Sequence, residues 1–216
     1  MRLHPFPPLY PILDFGCVFA GEAPDLRSRR ERLCGLVTAL AEAGVQILQY
    51  RNKVDEDSLV LEDAMAMRAA APEMTLLLND RAALVGQAGW DGVHVGQSDL
   101  APAEARALAG SKGILGLSTH NEEQVGLADL EPVDYIAIGP VFATSSKADT
   151  SPVIGVEGVA RARQLTHKPL VAIGGITLAN ARSVFDAGAD SVAVISAIFG
   201  AACSPAEAAR QFLRIR

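Results

Sequence analysis

Two apolar runs in the stretch TLLLNDRAALVGQAGWDGVHVGQSD, residues 75 to 99, each end in a carboxamide and a carboxylate. Asn79 and Asp80 follow the first run, and Gln97 and Asp99 follow the second, GVHVG. A strand, a helix-sized segment and another strand make a βαβ unit, whose strands run parallel with a right-handed crossover. Both strand ends then point the same way, which gathers Asp80 and Asp99 at one edge. Such a pair is a hard oxygen donor set, and Mg2+ is usually held by one or two carboxylates together with the phosphates of a substrate. The plainer reading is that each Asp caps the helix after it. What separates the two readings is which other polar groups reach the same edge.

Several do. The apolar run VQILQ leads into Gln49, Tyr50, Arg51, Asn52 and Lys53, and the run from 114 to 118 ends in Ser118, Thr119 and His120. After residue 139 comes GPVFATSSKADTSPVIG, the longest loop, with Thr144, Ser145, Ser146 and Lys147. A loop of that length inside a compact domain is usually functional. Arg51, Lys53, Lys147 and the hydroxyls of Thr144 and Ser146 are donors suited to phosphate oxygens. Together with Asp80 and Asp99 they imply a diphosphate with a metal ion. Gly174, Gly175 and Ser196 follow the last two apolar runs, where backbone N–H groups commonly bind a phosphate monoester; a tight turn with φ > 0 explains the glycines equally well.

Positioning these groups takes parallel strands joined by helices. Residues 9 to 14 read as a first strand, with Pro7 and Pro8 confined to its entry and residues 1 to 8 as a lead-in. A long loop, 15 to 26, follows. Ser28 and Glu31 form a capping-box pattern for a helix that Gly44 closes. Asp55 reads as the N-cap of a helix reaching about Ala70, Pro102 opens another, and Ser204, Pro205 and Glu207 start the last with a second capping box. Strands are expected at 45–49, 114–118, 135–139, 170–174 and 191–196, with helices at 157–164 and 178–187. Asp91, Asp134 and Asp190 each precede an alternating apolar strand, and at strand entries they read as structural. Eight βα units in about 210 residues predict an α/β fold, a single-domain (β/α)8 TIM barrel over residues 1 to 216. An open doubly wound sheet is the other arrangement.

Composition narrows the function. Half of the 216 residues are apolar and 20% are charged, so a sizeable core can be buried and disorder is excluded. The net charge of -6 argues against a nucleic-acid surface, while leaving room for a local Arg and Lys cluster around phosphate. Cys17, Cys34 and Cys203 have neither metal-ligand spacing nor an even count. The N-terminal residues lack the pattern of a signal peptide, and the most apolar late run is too short to span a bilayer. The expectation is a cytoplasmic protein with small-molecule partners, no nucleic acid and no membrane, and with a homo-oligomer left open.

The motifs QYRNK (49 to 53), LLLNDRAAL (76 to 84), DGVHVGQSDL (91 to 100), GLSTH (116 to 120), IGPVFATSSK (138 to 147), AIGGI (172 to 176) and VISAI (194 to 198) resemble, in order and spacing, the thiamine phosphate synthase family. The resemblance covers nearly the whole chain. It implies a transferase that joins a hydroxymethylpyrimidine diphosphate to a thiazole phosphate and releases pyrophosphate. Gln49, Tyr50, Arg51, Asn52, Lys53 and Asn79 would grip the pyrimidine diphosphate, with Ser118 and Lys147 lining the same site, and Asp80 and Asp99 would hold Mg2+. Thr144, Ser145, Ser146, Gly175, Ile195 and Ser196 would hold the thiazole phosphate. Arg51, Lys53, Lys147 and Ser118 would be the catalytic groups, the cations stabilising the departing anion. No protein nucleophile is needed, in keeping with the absence of a Ser/His/Asp or Cys/His constellation.

Three positions depart from the family pattern: Asn52 where Glu is usual, Ser98 where an acid is common, and Ser146 in place of Thr. The related TenI-type thiazole tautomerase uses a histidine where His120 sits, and imidazole moves protons near neutral pH. That activity has no need of the diphosphate and metal set. A non-catalytic barrel that binds a phosphometabolite is the third reading, since one barrel architecture hosts many functions.

Overall fold

A computed structural model describes residues 5–144 and 151–215. Eight strands, β1 (Leu9–Asp14), β2 (Ile47–Arg51), β3 (Thr75–Asn79), β4 (Gly92–Val95), β5 (Ile114–Thr119), β6 (Tyr135–Ile138), β7 (Leu170–Ile173) and β8 (Ser191–Val194), pair in parallel and close with β8 on β1. The open-sheet alternative is thereby excluded. Between the strands run α2 (Leu26–Glu42), α3 (Asp57–Ala70), α4 (Val85–Ala88), α5 (Pro102–Ala109), α6 (Glu122–Leu130), α7 (Gly155–Arg163) and α8 (Ala181–Asp186), and α10 (Pro205–Leu213) completes the outer ring. Short turns of helix, α1 (Phe15–Val18) and α9 (Ser196–Phe199), sit in the loops after β1 and β8.

Strand side chains alternate between two layers, as a period of two requires. The outward set, including Leu48, Leu76, Val93, Leu115 and Ile136, packs beneath the helices. The inward set fills the barrel with Ile12, Ile47, Leu77, Ala137, Val171 and Ala193 around two tyrosines, Tyr10 and Tyr135. Phe6 lies buried against both rings, at 6.3 Å and 5.1 Å between centroids, so the lead-in contributes a core residue as well as an entry.

Helix starts differ from expectation in two places. Asp25, not Ser28, caps α2, accepting from the amides of Arg27 and Ser28 at 2.9 and 3.0 Å, because an aspartate one turn earlier captures those amides first. The cap position of α3 is Glu56, without a side-chain bond, while Asp55 accepts from Asn52 Nδ2 at 2.8 Å and pairs with Arg29. Ser204 caps α10 as expected. Within the long first loop, Asp14 caps α1 through the Cys17 amide at 2.9 Å.

The strand entries carry a repeated clamp. Asp91 accepts from the Leu76 amide at 2.8 Å, Asp134 from Leu115 at 2.9 Å, and Asp190 from Leu170 at 2.9 Å, each joining an odd strand to the even strand after it. The second partner is an arginine from the helix that leads into the odd strand: Arg68, Arg106 and Arg163 respectively. Each arginine also ties loop carbonyls, such as Pro132 O at 2.9 Å for Arg106. These aspartates therefore act in the barrel floor, away from the strand exits. Replacing Asp134 with Ala leaves the Leu115 amide without its side-chain acceptor and Arg106 with carbonyl partners alone, which should cost about 2 kcal/mol in urea denaturation. Turnover of the surviving folded protein should stay within about twofold of the parent; loss of turnover without loss of stability would contradict a purely structural role.

Candidate active site

At the other end of the barrel, β3 runs out through Asn79 into Asp80, which has φ 63, a left-handed conformation that costs a non-glycine residue roughly 1–2 kcal/mol. The Asp80 amide donates to His94 O at 2.8 Å, which locks the turn. Its carboxylate faces the Lys53 ammonium, and Lys53 Nζ also stands 3.8 Å from Asp99 Oδ1. Asp99 Oδ2 accepts from the Gly96 amide at 2.9 Å. Neither aspartate caps a helix: the segments that follow start at Arg81 and Ala101 without side-chain cap bonds. The capping reading of both residues is thus set aside, and the pair is brought together with one cation between.

Electrostatically this cluster is uneasy. Burial raises the Asp80 carboxyl above its ordinary range, Lys53 opposes the shift, and the like charge of Asp99 adds to it. Asp80 Oδ2 is buried, and the Lys53 ammonium is the cation against it. Two adjacent carboxylates that share a single lysine form a hard oxygen donor set that Mg2+ fits. No third acid, His or Cys joins them among the described residues, in keeping with an ion that completes its shell with substrate oxygens and water.

Arg51, at the end of β2, pairs with Asp14, its register partner on β1. The residues beside it behave differently. Tyr50 points outward beneath the helices and donates its hydroxyl to Asp63 Oδ2 at 2.6 Å, and Asn52 is buried, bonded to Tyr50 Oη at 3.1 Å and to Asp55. Expected on a ligand, both side chains are instead engaged in anchoring the β2 loop. Alternation gives the reason: with Gln49 and Arg51 facing in, Tyr50 must face out.

Gln49 and Ser118 face the barrel interior and are joined through residues that sequence reasoning did not single out. Gln49 Nε2 donates to Tyr10 Oη at 2.9 Å, and the Tyr10 and Tyr135 hydroxyls meet at 2.9 Å. Tyr135 Oη lies 2.8 Å from His94 Nδ1, and His94 Nε2 lies 2.8 Å from Ser118 Oγ. Burial raises both tyrosine hydroxyls far above their ordinary range, so they stay protonated. Gly116 makes room for this arrangement, since a Cβ there would stand 2.0 Å from the Tyr135 ring. The available signal was polar side chains at inward positions of the strand period.

Across the mouth, a cavity of about 710 Å³ opens over the ends of β7 and β8, with Thr144, Gly174, Gly175, Ile195 and Ser196 in its wall. Gly175 has φ 63, and a Cβ on it would come within 2.5 Å of Ala143 O, so both backbone sign and space call for glycine. Ile173, Ile176 and Leu178 make the cavity partly apolar. Ser145, Ser146 and Lys147 lie outside the described residues. His120 sits at the β5 exit with Nδ1 2.9 Å from Gly139 O.

A family model described as thiamine monophosphate synthase matches residues 20–198. A thiamine-phosphate synthase of Koribacter versatilis is 50% identical over 210 residues, covering 97% of this chain and 95% of that one. One from Chloroflexus aurantiacus is 39% identical over 192 residues, covering 88% of each. Among solved structures, a thiamine phosphate pyrophosphorylase from Pyrococcus furiosus superposes with a TM-score of 0.80 at 30% identity, over 96% of this chain and 94% of that one.

The strain at Asp80 can be tested without any ligand. A carboxyl whose folded pKa exceeds its unfolded one weakens the fold while ionised; the penalty is present at neutral pH and lifts as pH falls through the folded value towards the ordinary 3.8. Asp80→Asn keeps a residue that tolerates the left-handed turn and removes the charge. In urea denaturation it should be at least as stable as the parent at pH 7, with the difference shrinking by about pH 4. A variant less stable at pH 7 would show that Lys53 outweighs burial and Asp99.

Proposed function

The chain belongs to the thiamine monophosphate synthase family and is a transferase, and from that premise we propose that its barrel mouth joins a hydroxymethylpyrimidine diphosphate to a thiazole phosphate and releases pyrophosphate. The observation that carries the reading is the Asp80–Lys53–Asp99 cluster, an acid pair and a cation at the exits of neighbouring strands, with a cavity across the mouth over β7 and β8. One half suits a diphosphate with its metal, the other a ring bearing a single phosphate.

Asp80 and Asp99 would hold Mg2+, which when bound neutralises charge on the departing diphosphate. Arg51 and Lys53, both from the β2 exit, supply donors to the same oxygens, and Lys147 adds a third cation. Gln49, Asn79 and Ser118 orient the pyrimidine from the barrel interior. Thr144, Ser145, Ser146, Gly175, Ile195 and Ser196 hold the thiazole phosphate, the glycine by letting the ligand approach the backbone. The bond between the methylene carbon and the diphosphate oxygen breaks with its electron pair leaving on the diphosphate. The electron-rich aminopyrimidine bears the positive charge left behind, and the thiazole nitrogen lone pair then forms the new C–N bond. Pre-organised cations aimed at the leaving group are the chain's main contribution.

The partners under this reading are two small phosphorylated molecules, with neither nucleic acid nor lipid, and the setting is cytoplasmic. In support, no helix among the described residues is long and apolar enough to cross a membrane. His120 is oriented by its Nδ1 contact with Gly139 O, and the synthase reading assigns it no step.

Pyrophosphate release should require both substrates and Mg2+, with thiamine phosphate as the product. Asp99→Ala should lower that turnover about 100-fold or more with little change in melting temperature, whereas equal loss of both would remove Asp99 from the metal site. A folded parent that releases no pyrophosphate but exchanges protons on the thiazole would overturn the synthase reading in favour of a tautomerase.

A further inference from the structure

The hydrogen-bonded chain through the barrel has a definite sense. Tyr10 accepts from Gln49, and in a site with 1% exposure its own proton needs an acceptor, which the Tyr135 oxygen supplies. The proton of Tyr135, itself fully buried, then goes to His94 Nδ1, so His94 carries its proton on Nε2 and gives it to Ser118 Oγ. The Ser118 proton is left to point out of the chain. At the far end, Gln49 Oε1 is buried and accepts no hydrogen bond among the described residues.

Turning the Gln49 amide over would reverse every bond. Five groups would have to change together, and the unsatisfied atom at the end would become a buried N–H donor, which proteins leave orphaned less often than a carbonyl oxygen. The chain is therefore a collective element with two states, and the observed state is the cheaper one.

We propose that Tyr10, Tyr135 and His94 are positioning residues that fix Gln49 Oε1 as an acceptor and Ser118 Oγ–H as a donor, and so set which face of a heterocycle the site accepts. This rests on the pyrimidine reading above. An acceptor and a donor together match an amino group beside an unprotonated ring nitrogen. They oppose a keto group beside a ring N–H, the edge of the deaminated analogue. A site that hydrogen-bonds its substrate specifically rejects the mismatched analogue because buried partners are then left unpaired. None of the three residues need touch the ligand.

Tyr135→Phe cuts the chain in its middle while keeping the ring against Phe6 and Gly116. The parent should prefer the amino pyrimidine diphosphate to its keto analogue in kcat/KM. In the variant that preference should fall about tenfold, with a raised KM for the pyrimidine and an unchanged KM for the thiazole phosphate. A folded variant that keeps the full preference would overturn the proposal, since a merely structural role lowers stability without changing discrimination. Nitrogen NMR of the ligand-free parent reads the His94 tautomer independently of turnover. A proton on Nε2 with Nδ1 bare is expected, and the opposite tautomer would overturn the assigned sense. If the parent turns over neither pyrimidine, the functional reading fails, while the NMR result still decides the sense of the chain.

Discussion

Closing eight parallel strands into a barrel leaves no sheet edge and forces each strand to divide its side chains between a narrow interior and a layer beneath helices. The rest of the molecule follows from that division. Apolar residues satisfy it over most of both layers. Where an inward position is polar, other inward positions are its nearest partners. Gln49, Tyr10, Tyr135, His94 and Ser118 bond to one another in this way, with Gln49 Oε1 left over at one end, so residues on five different strands form one continuous chain.

The two ends of the barrel handle charge in opposite ways. At the strand entries every clamp aspartate has both a guanidinium and a backbone amide, and the arginines close over loop carbonyls as well. Each of these carboxylates has one oxygen committed to holding strand and helix together. At the exits Asp80 is held in a left-handed turn, its carboxyl raised by burial, with one lysine facing two acids. Strain and crowded charge concentrate at the strand exits, and the firm floor makes that arrangement tolerable.

Much of this was legible in the sequence. Strand and helix rhythm gave the barrel, and the exits gave Arg51, Lys53, Asp80 and Asp99, because polar residues after apolar runs can gather only at one end. Asp91, Asp134 and Asp190 were legible as structural for the converse reason, though their arginine partners were not: Arg68, Arg106 and Arg163 lie on helices, where an exposed arginine is commonplace. Tyr50 and Asn52 were misplaced because nearness in sequence to Arg51 hides the in-and-out alternation. Asp25 displaced Ser28 as a cap because both suit the role and only the backbone decides. His94 escaped notice inside the motif GVHVG, where it reads as one more strand residue until its neighbours across the barrel are known.

The central claim is that Asp80 and Asp99 make diphosphate binding depend on a divalent cation. Calorimetric titration of inorganic pyrophosphate into the protein, with Mg2+ present or chelated, tests it directly. Binding should be at least about tenfold tighter with Mg2+, and the enhancement should vanish when both aspartates are replaced by asparagine. Pyrophosphate that binds equally well without the metal, or an enhancement that survives the double replacement, would contradict the account.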